Sequence, residues 1–151
     1  MKGDTEMLYI LEGCDGTGKT TLAKRLAPIL DAEIVHCTAE TPNDYEFFSQ
    51  IINAAFGKNI IADRFCYGQF VYQNPEERKL SQEELFRLEA EMLNVGVKLI
   101  YVYAGTNTIM DRLISRGEKT IKSVDDIKKG FTEVLSRSIL TPIPWNTDCS
   151  H

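Results

Sequence analysis

Met7-Leu8-Tyr9-Ile10-Leu11-Glu12-Gly13-Cys14-Asp15-Gly16-Thr17-Gly18-Lys19-Thr20-Thr21-Leu22 is the stretch on which the reading of this sequence turns. Met7 to Leu11 are apolar without alternation and stop at Glu12-Gly13, the pattern of a strand buried on both faces and closed by a turn. Gly13 to Thr20 then fit G-x-x-x-x-G-K-[ST] in full. Glycines at these spacings let successive backbone N–H groups turn inward as a concave anion nest. A helix that begins near Gly18 adds its positive N-terminal end. Lys19 can reach β- and γ-phosphates and the Thr20 hydroxyl can ligate magnesium, while Thr21 either faces an α-phosphate or extends the helix cap. Gly13, Asp15, Gly16, Thr17, Gly18, Lys19, Thr20 and Thr21 are therefore expected to bind a nucleotide, with ATP and magnesium as cofactors.

Outward from this loop, strands and helices alternate. The first helix carries Leu22, Leu26 and Ile29 on one face, with Pro28 near its end. Ile34-Val35 is a second strand. Asn43 is placed to cap a helix, with Glu46 three residues on and Phe47, Ile51 and Ala54-Ala55 facing inward until Gly57. Ile60-Ile61-Ala62 is a third strand ending at Asp63-Arg64. Phe65 to Tyr72 is expected to be helical, and Pro75 to Lys79 a charged loop. Ser81-Gln82-Glu83-Glu84 is a capping box for a helix through Leu85, Leu88 and Met92, closed by Gly96. Lys98 to Tyr103 is a fourth strand, followed by a helix capped by Thr106 or Asn107 and running through Ile109, Leu113 and Ile114. Ser123 opens a last helix through Ile127, Phe131 and Leu135. Pro142 to Asn146 has strand character weakened by its two prolines. The alternation predicts a three-layer α/β fold of the P-loop NTPase kind, with a mainly parallel sheet of about five strands and helices on both faces. Ligands of such sheets bind beyond the carboxyl ends of the strands, so Glu12-Gly13, Asp63-Arg64 and Ala104-Gly105 should share one rim.

The bulk properties restrict the class further. A length of 151 residues predicts a single domain, 1–151, and 43% hydrophobic with 26% charged residues is ordinary for a globular protein. No apolar run approaches the roughly 18 residues of a membrane span. Cys14, Cys37, Cys66 and Cys149 are scattered without a C-x-x-C pair, which points to reduced thiols. With a short polar start at Met1 to Glu6, the expectation is a cytoplasmic protein. A net charge of −5 argues against a nucleic-acid partner. His36 and His151 stand too far apart in sequence to suggest a metal pair. His36, at a strand end, reads as a pocket or packing residue, and His151 as a chain end.

Leu11 to Leu22 resembles the thymidylate kinase form of the motif, E-G-x-D-G-x-G-K-T-T. Asp63-Arg64-Phe65 with Tyr72-Gln73 resembles that family's D-R-[YFH] segment and downstream Y-Q, and Asp111-Arg112 with Arg116-Gly117-Glu118 resembles its lid. The resemblance implies an ATP- and magnesium-dependent nucleoside monophosphate kinase, akin to short phage-type members, with a pyrimidine or modified pyrimidine monophosphate as acceptor and a homodimer as the common assembly. It implies that Asp63 holds magnesium or orients the acceptor, and that Arg64 forks onto the acceptor phosphate, for which a planar guanidinium is suited. It further implies that Asp15 is turned from ATP toward the acceptor sugar. Some family members carry an arginine at the position of Gly16, so here the transition-state cation falls to Arg112 or Arg116, four apart on one helix face. Phe65, Tyr67, Phe70 and Tyr72 offer rings to a base or to the core, and Gln73 an amide to a base edge.

The family's arginine-proline-glycine segment after the second strand is absent, and His36 to Pro42 stand in its place. Gly68 occupies a position where a serine is frequent, and the lid between Arg116 and Ser123 is short. These departures fall on acceptor recognition, which leaves thymidylate, deoxyuridylate or a modified deoxyuridylate open. Two other classes stay open at this stage. One is a P-loop kinase of another small acceptor, such as a nucleoside or a modified base in DNA. The other is a P-loop ATPase coupled to a partner, although Asp63-Arg64 lacks the paired acids usual there.

Overall fold

The computed structural model describes residues 6–117 and 123–148. Five parallel strands form one sheet: β1 (Leu8–Glu12), β2 (Ala32–His36), β3 (Asn59–Asp63), β4 (Val97–Tyr103) and β5 (Ile143–Asn146), in spatial order β2-β3-β1-β4-β5. Six helices connect them: α1 (Lys19–Leu30), α2 (Tyr45–Ala54), α3 (Gln69–Tyr72), α4 (Gln82–Val95), α5 (Thr106–Ser115) and α6 (Val124–Ser136). Central β1 explains its unbroken apolar run. Leu8 and Ile10 pack with Phe48, Ile52, Leu88 and Met92 on the α2–α4 side. Leu11 packs with Leu22 and Ala23 on the α1 side. A third cluster, Val71, Ile109, Leu113, Ile127 and Phe131, joins α3, α5 and α6 beside the glycine loop.

Local signals set most boundaries. Ser81 and Glu84 form the reciprocal capping box of α4, and Ser123 caps α6 by accepting from the Asp126 N–H. The stretch from Phe65 is a 3₁₀ turn at Cys66–Gly68 running into α3. The stretch Pro75–Glu77 is likewise a 3₁₀ turn, where a loop was expected.

Several expectations are corrected. The cap of α2 is Asp44, which accepts from the Phe47 N–H, and Asn43 takes a left-handed turn at φ 55°. The inward face of α2 accordingly shifts by one residue, burying Phe48, Ile52 and Ala55, with Phe47 and Ile51 only partly covered. Gly105, not Thr106 or Asn107, is the N-cap of α5. Ile29 and Ile114 stand in solvent, because the helix faces next to the sheet are already filled by Leu22 and Ala23 on α1 and by Ile109 and Leu113 on α5. His151, Cys149 and the lid residues 118–122, including Glu118, lie outside the described residues.

Candidate active site

Parallel strands end on one rim, so the sheet delivers Glu12, His36, Asp63 and Tyr103 to the same edge. The loop leaving β1 turns at Gly13, Gly16 and Gly18, with φ of 151°, 87° and 90°. Gly13 has a steric reason as well, since a Cβ there would stand 2.2 Å from the Val102 carbonyl oxygen of β4. Thr17 closes the loop by donating its hydroxyl to the Cys14 carbonyl at 2.8 Å. Lys19 is buried and folds back over the loop, its Nζ donating to the carbonyls of Gly13 at 2.7 Å and Cys14 at 2.9 Å.

Burial sets the electrostatics here. The Glu12 carboxyl is pushed up to about 7 by burial, against the pull of Lys19 and of the backbone N–H groups of Phe65 and Tyr67. The Lys19 ammonium is lowered by the same burial, and Glu12 and Asp63 oppose that shift. Around the loop, Asp63 Oδ2 accepts the Thr20 hydroxyl at 2.7 Å and faces His36 Nδ1 at 3.1 Å. Thr20 and Asp63 thus present two hard oxygen atoms at the mouth of the nest, a donor set that fits magnesium. Arg64, held at φ 69°, pairs with Asp15, whose backbone N–H donates to the Tyr72 hydroxyl at 3.3 Å.

Three clefts meet at this rim. A cleft of about 300 Å³ is lined by Gly16, Lys19, Thr20, Asp63, Arg64 and Arg116. A larger one, about 830 Å³, lies between α1, α5 and β5 and includes Thr21, Arg25, Arg116 and Trp145 in its walls. On the opposite side a slit of about 150 Å³ is lined by Glu12, Phe48, Arg64, Phe65, Tyr72 and Gln73, among others. Within the described residues, Gln73 Oε1 is the buried side-chain polar atom left without a hydrogen-bond partner.

The sequence-derived residues separate into two groups. Lys19, Thr20, Asp63, Arg64, Asp15 and Arg116 converge on the small cleft, and Phe65, Tyr72 and Gln73 on the slit. Tyr67 is fully buried and donates its hydroxyl to Glu89 at 2.8 Å, so its ring offers no free face. Phe70 is also buried, under the Arg78 guanidinium at 4.9 Å. Arg112 is engaged structurally, donating to the Gly16 carbonyl at 3.1 Å and to the Thr147 hydroxyl and carbonyl at 3.1 and 3.0 Å. Gly16 is tightly packed, since a Cβ there would meet Ile109 and Leu113 of α5 at 3.2 Å. Sequence reasoning placed Glu12 on the rim without giving it a role, and missed Thr147 and Trp145 as parts of the site. Glu12 was readable as an acid at the end of a buried strand, whereas Thr147 and Trp145 carry no motif.

A structure of YorR protein from Bacillus subtilis in complex with phosphorylated GDP is similar to this chain, with a TM-score of 0.80 and 28% identity over 93% of this chain and 86% of that one. Deoxyadenosine kinase from M. mycoides with bound dCTP matches at a TM-score of 0.58 and 19% identity, over 94% and 90% of the two chains. Polyphosphate kinase 2 from Arthrobacter aurescens matches at 0.66 and 15%, over 95% of this chain and 62% of that one. The fold is that of the P-loop kinases. No protein-family model and no curated protein sequence matches the chain. Among the described residues, no helix is long and apolar enough to cross a membrane.

Proposed function

We propose that this chain transfers the γ-phosphoryl group of ATP to a deoxynucleoside monophosphate whose base is uracil, thymine or a 5-modified uracil. The observation that carries the reading is the position of Arg64, which lines both the phosphate cleft and the aromatic slit. A guanidinium on that shared wall can hold the acceptor phosphate beside the γ-phosphate while the base enters the slit. An oxygen of the acceptor phosphate then attacks the γ-phosphorus, the bond to the β,γ-bridging oxygen breaks, and ADP and a nucleoside diphosphate result. Lys19 and the nest bind the β- and γ-phosphates, Arg116 faces them from the end of α5, and Asp15 keeps Arg64 oriented. Thr20 and Asp63 would hold magnesium, which neutralises charge developing between the β- and γ-oxygens. In the slit, Phe65 and Tyr72 flank a base and the Gln73 oxygen accepts from its ring N–H, which uracil and thymine possess at N3 and cytosine lacks.

A guanine nucleotide is the second reading. The ligand of the YorR protein favours it, and guanine also carries a ring N–H. An ATP-consumption assay with magnesium against dTMP, dUMP, 5-hydroxymethyl-dUMP, dCMP, dGMP and dAMP, with free nucleosides as controls, separates these. Turnover with one uracil-type monophosphate, giving the diphosphate on anion exchange, is expected. Turnover with dGMP alone moves the assignment to guanine, and ATP loss indifferent to every acceptor defeats the kinase reading. Lys19→Ala should lower kcat by about a hundredfold or more, since it removes a preorganised cation from the transferred group. Unchanged turnover in that variant is incompatible with the proposal.

A further inference from the structure

The largest of the three clefts opens directly onto the phosphate cleft, because Gly16, Gly18, Thr21 and Arg116 line both. A nucleotide whose phosphates occupy the nest therefore has its nucleoside in the larger space. One wall of that space is Trp145, which is the single tryptophan of the chain. Trp145 pairs in register with Val102 of β4, and Val102 packs with Leu22 on the α1 side of the sheet. Register partners in a sheet share a face, so the indole points to the α1 side and stands over the cleft instead of the solvent edge. It remains 41% exposed on a strand that carries no core role. A large ring left open in a cleft beside a phosphate nest is a stacking surface for a base.

Two of the polar residues beside it are already committed. Thr147 donates its hydroxyl to the Thr17 carbonyl at 2.6 Å and receives Arg112 on both hydroxyl and carbonyl oxygens. Arg112 is consumed by those bonds and by the Gly16 carbonyl. Thr21, Arg25, Asp111 and Asn146 also line the cleft, and the indole face is the surface on which any base can stack. We propose that Trp145 is the stacking platform for the base of the phosphoryl donor, and that the donor site consequently accepts purine nucleoside triphosphates with little regard to the base. The inference rests on the kinase reading above, since it assigns the nest to a donor nucleotide.

The test uses the full chain and its own fluorophore. ADP and GDP are titrated separately, following Trp145 emission and its quenching by acrylamide, with calorimetry on the same samples to record binding. Expected are saturable emission changes with both nucleotides, protection from acrylamide, and affinities within about tenfold of each other, as base-tolerant stacking implies. Trp145→Ala should raise the KM for ATP about tenfold or more while leaving the acceptor KM unchanged, and Trp145→Phe should restore most of the loss. Calorimetric binding without change in emission or acrylamide protection overturns the stacking assignment and leaves the kinase reading standing. Strong preference for one purine overturns the tolerance. Absence of any nucleotide binding by the unmodified chain overturns the kinase reading itself.

Discussion

Arg64 and Glu12 sit at the ends of the adjacent strands β3 and β1. Arg64 has its guanidinium on Asp15 and its backbone in a left-handed conformation, an arrangement that aims the side chain across the rim. Arg64→Ala should raise the acceptor KM roughly tenfold to a hundredfold, the range for losing a charge-assisted hydrogen bond to a phosphate, with the ATP KM nearly unchanged. Steady-state kinetics with each substrate varied in turn checks this, and a loss confined to ATP would assign Arg64 to the donor. Glu12 makes a prediction about stability. Its folded-state carboxyl titrates near 7, above the ordinary value of 4.5, because burial disfavours the anion. Between those two values the folded chain holds a proton that the unfolded chain has released. Folding is therefore favoured by this group below the lower value, and that contribution is lost as pH rises through the upper one. Urea unfolding should show stability falling from pH 5 to pH 8 more steeply in the unmodified chain than in Glu12→Gln.

At the scale of elements, the glycine loop is shaped by what packs behind it. Helix α5 lies so close that a Cβ at Gly16 would meet Ile109 and Leu113 at 3.2 Å, and at Gly13 a Cβ would run into the backbone of β4. A side chain at position 16 would have to push α5 back by a few tenths of an ångström, whereas Arg116 at the end of α5 already lines both clefts. Gly16→Arg should therefore not raise turnover. A non-glycine residue at φ 87° costs about 1–2 kcal/mol by itself, and the displaced Ile109 and Leu113 add to that, so thermal unfolding should shift clearly downward. An unchanged melting temperature with faster turnover would mean that α5 yields and that the cation is welcome there.

Across the whole molecule, the segment after β5 ties the far edge of the sheet to the loop at its centre. Thr147 donates its N–H to the Tyr103 carbonyl at 2.9 Å and its hydroxyl to the Thr17 carbonyl at 2.6 Å, and Arg112 joins both to Gly16. These contacts span 130 residues of sequence between Thr17 and Thr147. Thr147→Val keeps the size but removes the hydroxyl bonds, each worth about 1 kcal/mol net. The expected result is a donor KM raised about fivefold, with the sheet intact by circular dichroism. Equal donor KM values for the two proteins would make the tie purely structural.

The amino-acid order by itself determined the α/β alternation, the parallel sheet and the phosphate loop. These rest on local physics: the unbroken apolar run at Leu8 to Leu11, the glycine spacing from Gly13 to Gly18, and the Ser81–Glu84 capping box that starts α4. It also brought Asp63 and Arg64 to the right rim, because a buried strand in such a sheet has only one end open to ligands. The tertiary structure decided what periodicity cannot express. Phe65 and Tyr72 border the slit, Phe65 while packed edge-on against Phe48 in the core, whereas Tyr67 and Phe70 line no part of it. Asp44 displaced Asn43 as a cap, Arg112 became a brace, and Trp145 came to line the large cleft beside the glycine loop. Each of these depends on contacts between residues distant in the chain, and a motif read along the sequence contains no term for them.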